Sequence, residues 1–89
     1  MTAREHAEEA FREEGLDPHT WSNRAGYVYS EHEHRYHKVL FCIDGSIVFH
    51  TPDGDIALTE GDRLDLAPHT PHSATVGSAG VTCMEAARD

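Results

Sequence analysis

Apolar and polar positions follow two rhythms along the chain, one before Gly15 and another after Trp21. Ala3, Ala7, Ala10 and Phe11 recur at helical spacing, within a run from Ala3 to Glu14 that has no proline, glycine or β-branched residue. That pattern predicts an amphipathic helix, since such residues lose little freedom in helical backbone. Thr2 followed by Glu5 forms a capping box at its start. Gly15 offers the left-handed stop, and Pro18 suits the entry to a new element. The helix is expected to lie against the outside of the following body through Phe11.

Beyond Trp21 the rhythm shortens to strands broken by turns. Gly26 to His34 alternates, with Tyr27 and Tyr29 on one face and Val28, His32 and His34 on the other. Lys38 to Ile43 is strongly β-prone, and Asp44-Gly45 then reads as a hairpin turn, because both residues tolerate positive φ. Ser46 to His50 is the return strand, Pro52-Asp53-Gly54 a turn, Asp55 to Leu58 a strand and Glu60-Gly61-Asp62 another turn. Arg63 to Ala67 follows with Leu64 and Leu66 on one face, then a rigid corner from Pro68 to Pro71. His72 to Val76 and Val81 to Ala86 are read as two last strands joined through Gly77, Ser78 and Gly80. Closely spaced strands with Gly- and Pro-rich turns predict an all-β sandwich or barrel behind a short N-terminal α-helix.

Composition narrows the function classes. The chain has 89 residues, 38% of them apolar, and a formal net charge of −9. A core of that size is modest unless strands pack tightly or two copies pair. The acidic balance argues against nucleic acid and anionic membranes, whose recognition needs clustered Lys and Arg. Glu5, Glu8, Glu9, Glu13, Glu14 and Asp17 concentrate the charge early and read as a solvated helix face. No stretch suggests a membrane span or a secretory signal, so the expected location is the cytoplasm. Cys42 and Cys83 are too few for a disulfide scaffold and are expected as free thiols on buried strands.

Histidine is the unusual residue: there are eight. Residues two apart on a strand share a face, so His32 and His34 project together and can share a metal ion. A third ligand must come from another strand, and His72, directly after the rigid corner, is placed to reach the same pocket. An isolated His-x-His is common on exposed strands, so the surrounding residues decide its weight. His37 and His69 lie close by but are expected at the surface and the pocket mouth. Replacing His6, His19 or His50 is not expected to affect metal. Cys42 shares parity with His34 and Lys38 and is expected to face the interior, first as a small buried apolar residue; Lys38 and Cys42 are also the candidate pocket-lining residues. No phosphate-binding glycine loop or nucleophile elbow is present.

Those surroundings resemble the cupin family. Gly26, five residues, His32, one residue, His34, three residues, Lys38, six residues, Gly45 follows the spacing of the first cupin motif. Lys38 stands where the family usually has Glu. Gly61, five residues, Ala67, one residue, His69, two residues, His72, three residues, Val76 follows the second motif, with Ala67, His69 and Val76 in place of the usual Pro, Gly and Asn. Fifteen residues separate the two motifs. The resemblance implies a small double-stranded β-helix, or jelly-roll barrel, over residues 19–89, with residues 1–18 as helix and linker. It also implies a divalent metal (zinc, iron, nickel, manganese or copper) held by His32, His34 and His72.

The carboxylate role does not carry over to Lys38, because a protonated lysine repels a cation and offers no lone pair. Lys38 can swing away, lose its proton near the metal, or replace the metal's charge in an anion-binding site. Losing the carboxylate raises the charge of the site and favours an anionic or chelating small molecule. Two function classes stay open on this one site: dioxygenase-like or other metal-assisted chemistry, and a non-enzymatic small-molecule binding or sensing module. The resemblance further implies a homodimer.

Overall fold

A computed structural model describes residues 1–88 of the chain. In chain order the elements are helix α1 (Ala3–Glu13) and strands β1 (His19–Asn23), β2 (Val28–His32), β3 (His37–Thr51), β4 (Gly54–Thr59), β5 (Arg63–Leu66) and β6 (His72–Arg88). The expected capping box forms. The Thr2 hydroxyl accepts from the Glu5 backbone N–H at 3.1 Å, and the Glu5 carboxylate accepts from the Thr2 N–H at 2.9 Å. At the other end Gly15 takes φ +70°. Leu16 N–H then donates to the Phe11 carbonyl and Gly15 N–H to the Arg12 carbonyl, the bond pair of a Schellman stop.

Two long antiparallel strands, β3 and β6, form the spine, pairing from His37↔Arg88 to His50↔Ser73. This differs from the sequence-based expectation. Asp44-Gly45 is not a hairpin turn, and β6 is one strand rather than two. The register explains why. Between Cys42↔Cys83 and Asp44↔Thr82, β3 advances two residues while β6 advances one. Between Gly45↔Val81 and Ile47↔Val76, β3 advances two and β6 five. These are bulges, which bend a pair without ending it. The positive φ of Gly45 (+75°) and Gly80 (+78°) serves the bend instead of a turn.

The bend divides the molecule into two walls. The N-terminal half of β3 and the C-terminal half of β6 lie between β5 and β1. The C-terminal half of β3 and the N-terminal half of β6 lie between β4 and β2. Inward parity on β3 switches across the bend, from Leu40 and Cys42 to Ile47 and Phe49, so both halves feed one core. Leu58, Leu64 and Leu66 complete that core from β4 and β5. The opposite face of β3 presents Val39, Phe41 and Ile43 to the helix, where Ala7 and Phe11 are buried. The Phe11 and Phe41 rings meet edge-to-face at 5.4 Å. Glu14, expected as part of a solvated face, instead pairs with Arg63 and Arg88 and ties the helix end to the barrel.

Gly45 and Gly26 share φ +75°, yet differ in surroundings. A Cβ on Gly45 would lie 2.0 Å from the Gly80 carbonyl oxygen, whereas one on Gly26 meets nothing within 4 Å. Gly26→Ala is therefore expected to cost about 1 kcal/mol, the conformational term alone, and Gly45→Ala about 3 kcal/mol or more. Urea unfolding of both variants checks this; equal losses would contradict the close approach of the two strands at the bend.

Candidate metal centre

Three histidines converge at one end of the barrel. His72 opens β6 and His32 closes β2, and the two are register partners. His34 lies just past β2, in the loop leading to β3. The corner before β6 holds that loop in place: His69 N–H donates to the His34 carbonyl at 2.7 Å. His69 does so with φ +62°, the one non-glycine residue with positive φ among the described residues. The Thr70 hydroxyl donates to the Ala67 carbonyl at 2.8 Å and stiffens the same corner.

The predicted alternation of Gly26 to His34 does not hold. Between Tyr29↔Ala74 and His32↔His72, β2 advances three residues while β6 advances two. The extra residue flips the parity. Tyr29 and His32 therefore line the same cavity, while Val28 is 63% exposed on the outside.

The ring nitrogens are set up to bind a cation. One candidate ligand nitrogen from each of His32, His34 and His72 lies within 4.8 Å of the other two. His72 is buried, His34 half-buried and His32 exposed. Nδ1 of His32 lies 2.7 Å from the Ser30 carbonyl, and Nδ1 of His72 lies 2.9 Å from the Thr70 carbonyl. A carbonyl only accepts, so in the neutral ring each Nδ1 carries the proton and each Nε2 offers a lone pair. Nε2 of His34 and Nε2 of His72 are buried with no hydrogen-bond partner. Buried polar atoms without partners are costly, and a shared metal ion satisfies both with the donor set zinc, nickel, copper, iron and manganese accept. The residues present thus fit a divalent cation.

Burial holds the His34 imidazole below its ordinary pKa, and the neighbouring Lys38 charge adds to the effect. His72 is lowered by burial as well, opposed by its bond to the Thr70 carbonyl. Both rings are therefore neutral and able to ligate at neutral pH.

A cavity of about 330 Å³ opens beside the cluster. Trp21, Tyr29, Phe49 and Ala74 form its apolar walls, and Lys38 and Glu85 its charged side. Lys38 does not swing away: it is 7% exposed, and its Nζ lies 3.4 Å from Glu85 Oε2. Glu85 Oε1 accepts from the Trp21 indole N–H at 2.7 Å. Sequence reasoning gave Glu85 no role in the pocket. Its one visible sign was an acidic residue at an inward position of an otherwise apolar strand.

The other candidates fall elsewhere. Cys42 does not line the cavity; it sits in the core opposite Cys83, its thiol directed at the Asp44 and Gly45 carbonyls (3.6 and 3.5 Å). Its place among candidate pocket residues is thereby corrected: the inward parity was right, but Cys42 lies by the bend. The hydrogen bond with Cys42 and burial push the Cys83 thiol up, so it stays protonated. His37 is bound to Asp65 at 2.9 Å, and His69 to Glu33 at 3.2 Å. His50 has both ring nitrogens engaged, by Asp55 and Thr75. Tyr36 stacks on His34 at 4.9 Å, and Phe41 lies on the helix side of the sheet.

The fold and this cluster define a small cupin. The chain matches the family described as the AraC-like ligand binding domain over residues 17–83, and it belongs to that family. The match leaves α1 outside. No curated protein matches the chain in sequence. Among solved structures, it is similar to the DMSP lyase DddQ from Ruegeria pomeroyi, with TM-score 0.76 and 20% identity over 83% of this chain and 38% of that one. An RmlC-like cupin from Shewanella frigidimarina gives 0.72 and 22%, over 81% and 64%. An oxalate decarboxylase variant from Bacillus subtilis gives 0.75 and 20%, over 83% and 21%. The chain thus spans less than two thirds of each of these structures, and at such identities the likeness is one of fold.

The lowered histidine values fix a sign for stability. The unfolded chain titrates these imidazoles near 6.5, above the folded values. The stability they contribute is full above 6.5 and is lost as pH falls through that value toward the folded ones. The urea midpoint of metal-free protein is expected to fall between about pH 7.5 and pH 5.5, and His72→Gln to flatten the fall. A flat profile in the parent protein would contradict the burial of neutral imidazoles.

Proposed function

We propose that this chain is a metal-binding cupin in which His32, His34 and His72 hold one divalent metal ion beside a cavity for a small anionic or chelating molecule. The observation that carries the reading is the pair of buried, unpartnered Nε2 atoms of His34 and His72 beside a third free imidazole nitrogen. A redox-active ion there would support dioxygen or electron chemistry on a bound substrate, and zinc or nickel would polarise a carbonyl or activate water. A solved structural neighbour reports Mn(II) centres in Bacillus subtilis oxalate decarboxylase, which supports metal chemistry on this fold without selecting the ion.

The protein's own residues do the positioning. The Ser30 and Thr70 carbonyls fix two of the imidazole tautomers. The aromatic walls give the cavity an apolar lining, and Lys38 places a positive charge at the cavity side. With Lys38 in the usual carboxylate position, three neutral imidazoles leave the ion's charge uncompensated, which favours an anionic ligand. A second reading is favoured by the family itself: a non-enzymatic module that binds or senses a small molecule. Turnover of a bound acid separates the two. We further propose pairing into a homodimer through exposed edge strands such as β2, and residence in a reducing compartment such as the cytoplasm, consistent with two free buried thiols.

Protein purified without a histidine tag or chelator is expected to carry about one equivalent of a divalent metal by elemental mass spectrometry. His32→Ala, His34→Ala and His72→Ala should each lose most of it, while His6→Ala and His50→Ala should keep it. Under about a tenth of an equivalent, with no uptake on adding metals, would remove the metal reading.

A further inference from the structure

The charged side of the cavity carries more information than an ion pair for stability. Among the described residues that line the cavity, Lys38 is the only lysine or arginine. Its side chain is 9% exposed, and its partner Glu85 stands at 3.4 Å. Charge-assisted hydrogen bonds run at about 2.7–2.9 Å, and an ammonium has three donors. Lys38 is thus a largely buried cation on the cavity wall with hydrogen-bond donors to spare, which the contents of the cavity can take up. Glu85 cannot close the gap freely, because Trp21 holds its other oxygen at 2.7 Å. The strands fix this arrangement. On β6, Glu85 sits opposite His19 of β1 and Leu40 of β3, so it is the diagonal neighbour of both Trp21 and Lys38.

Next to this cation the walls are aromatic. Trp21 and Tyr29 meet edge-to-face at 5.5 Å, and Phe49 lines the same space. A cavity of about 330 Å³ admits only a small molecule.

We propose that the cavity selects a small monocarboxylic acid with an apolar body. Lys38 donates to the carboxylate, and Trp21, Tyr29 and Phe49 receive the body. Glu85 is a positioning residue: it aims Lys38 and competes mildly with the ligand for it. The inference rests on reading the cavity as a small-molecule site and names that ligand's class; it does not require the metal.

Trp21 is the chain's single tryptophan and lines the cavity, so its emission reports binding directly. The probes are 3-phenylpropionate and its neutral amide, 3-phenylpropanamide. Each is titrated into protein as purified and into protein dialysed against chelator, with calorimetry alongside. The acid is expected to bind at least about tenfold tighter than the amide in both preparations, the scale of one charge-assisted bond. Glu85→Gln keeps an acceptor for Trp21 and frees Lys38. It should tighten the acid about threefold or more and leave the amide unchanged. Lys38→Met combined with Glu85→Gln removes both charges without stranding either, and should bring acid and amide within about twofold. A merely structural ion pair would not give opposite signs in the two variants.

Equal binding of acid and amide by the parent protein would overturn the proposal, as would no binding of either. So would a preference for the acid that survives in the double variant, since that places the carboxylate on the histidines. Metal content measured on the same samples separates the two claims. Acid selectivity that depends on Lys38 in metal-free protein leaves this inference standing whatever becomes of the metal centre, and a full metal site without acid selectivity overturns this inference alone.

Discussion

The pairing of β3 with β6 is the constraint on which everything else depends. Two strands of 15 and 17 residues cannot stay flat and enclose a core, so the pair bends where bulges and Gly45 against Gly80 permit it. The bend brings two walls face to face, and each wall delivers its own chemistry. The wall containing β2 supplies His32 and His72, which are register partners, with Phe49 and Ala74 behind them. The wall containing β1 supplies Trp21, Lys38 and Glu85. Antiparallel pairing makes the meeting of Lys38 and Glu85 automatic, since the end of β6 runs beside the start of β3.

Within that frame, neutral and charged groups are kept apart in role. The His34 and His72 imidazoles are held uncharged by burial, and Nδ1 of His32 and of His72 each face a backbone carbonyl. Their remaining nitrogens are fit for a cation. Lys38 and Glu85 form a buried pair, and such pairs are weak sources of stability, often replaceable by apolar residues at no loss. Their presence at the cavity is better explained by what they offer a ligand than by what they add to the fold. Strain points the same way. His69 takes a left-handed conformation that disfavours a side chain, and its N–H is what fastens the His34 loop.

Much of this was legible in the sequence, and the illegible parts share one cause. The helix, its capping box and the docking role of Phe11 follow from local spacing and chemistry, which tertiary context did not overrule. The histidine spacing of both motifs is likewise local, and the three residues it singles out do come together. The hairpin expected at Asp44-Gly45 and the break expected at Gly77 to Gly80 failed because a positive-φ glycine serves a turn and a bulge equally. Only the long-range partner decides between them. Tyr29 and Val28 do fall on opposite faces, but the alternation separates Tyr29 from His32, and one inserted residue between them reverses that parity. Glu85 and Cys83 share a face of the last strand by alternation, but the role of Glu85 was illegible because it depends on a lysine far away in sequence, joined to it only by strand register.

The central claim is that three imidazoles from β2, its following loop and β6 share one metal ion. Anomalous diffraction from crystals of metal-loaded protein, recorded on both sides of the metal's absorption edge, tests it most directly. The account predicts a single strong peak at about 2.0–2.2 Å from one ring nitrogen of each of His32, His34 and His72. A peak bound by other side chains, or no peak in a barrel whose three histidines are well ordered, would contradict it.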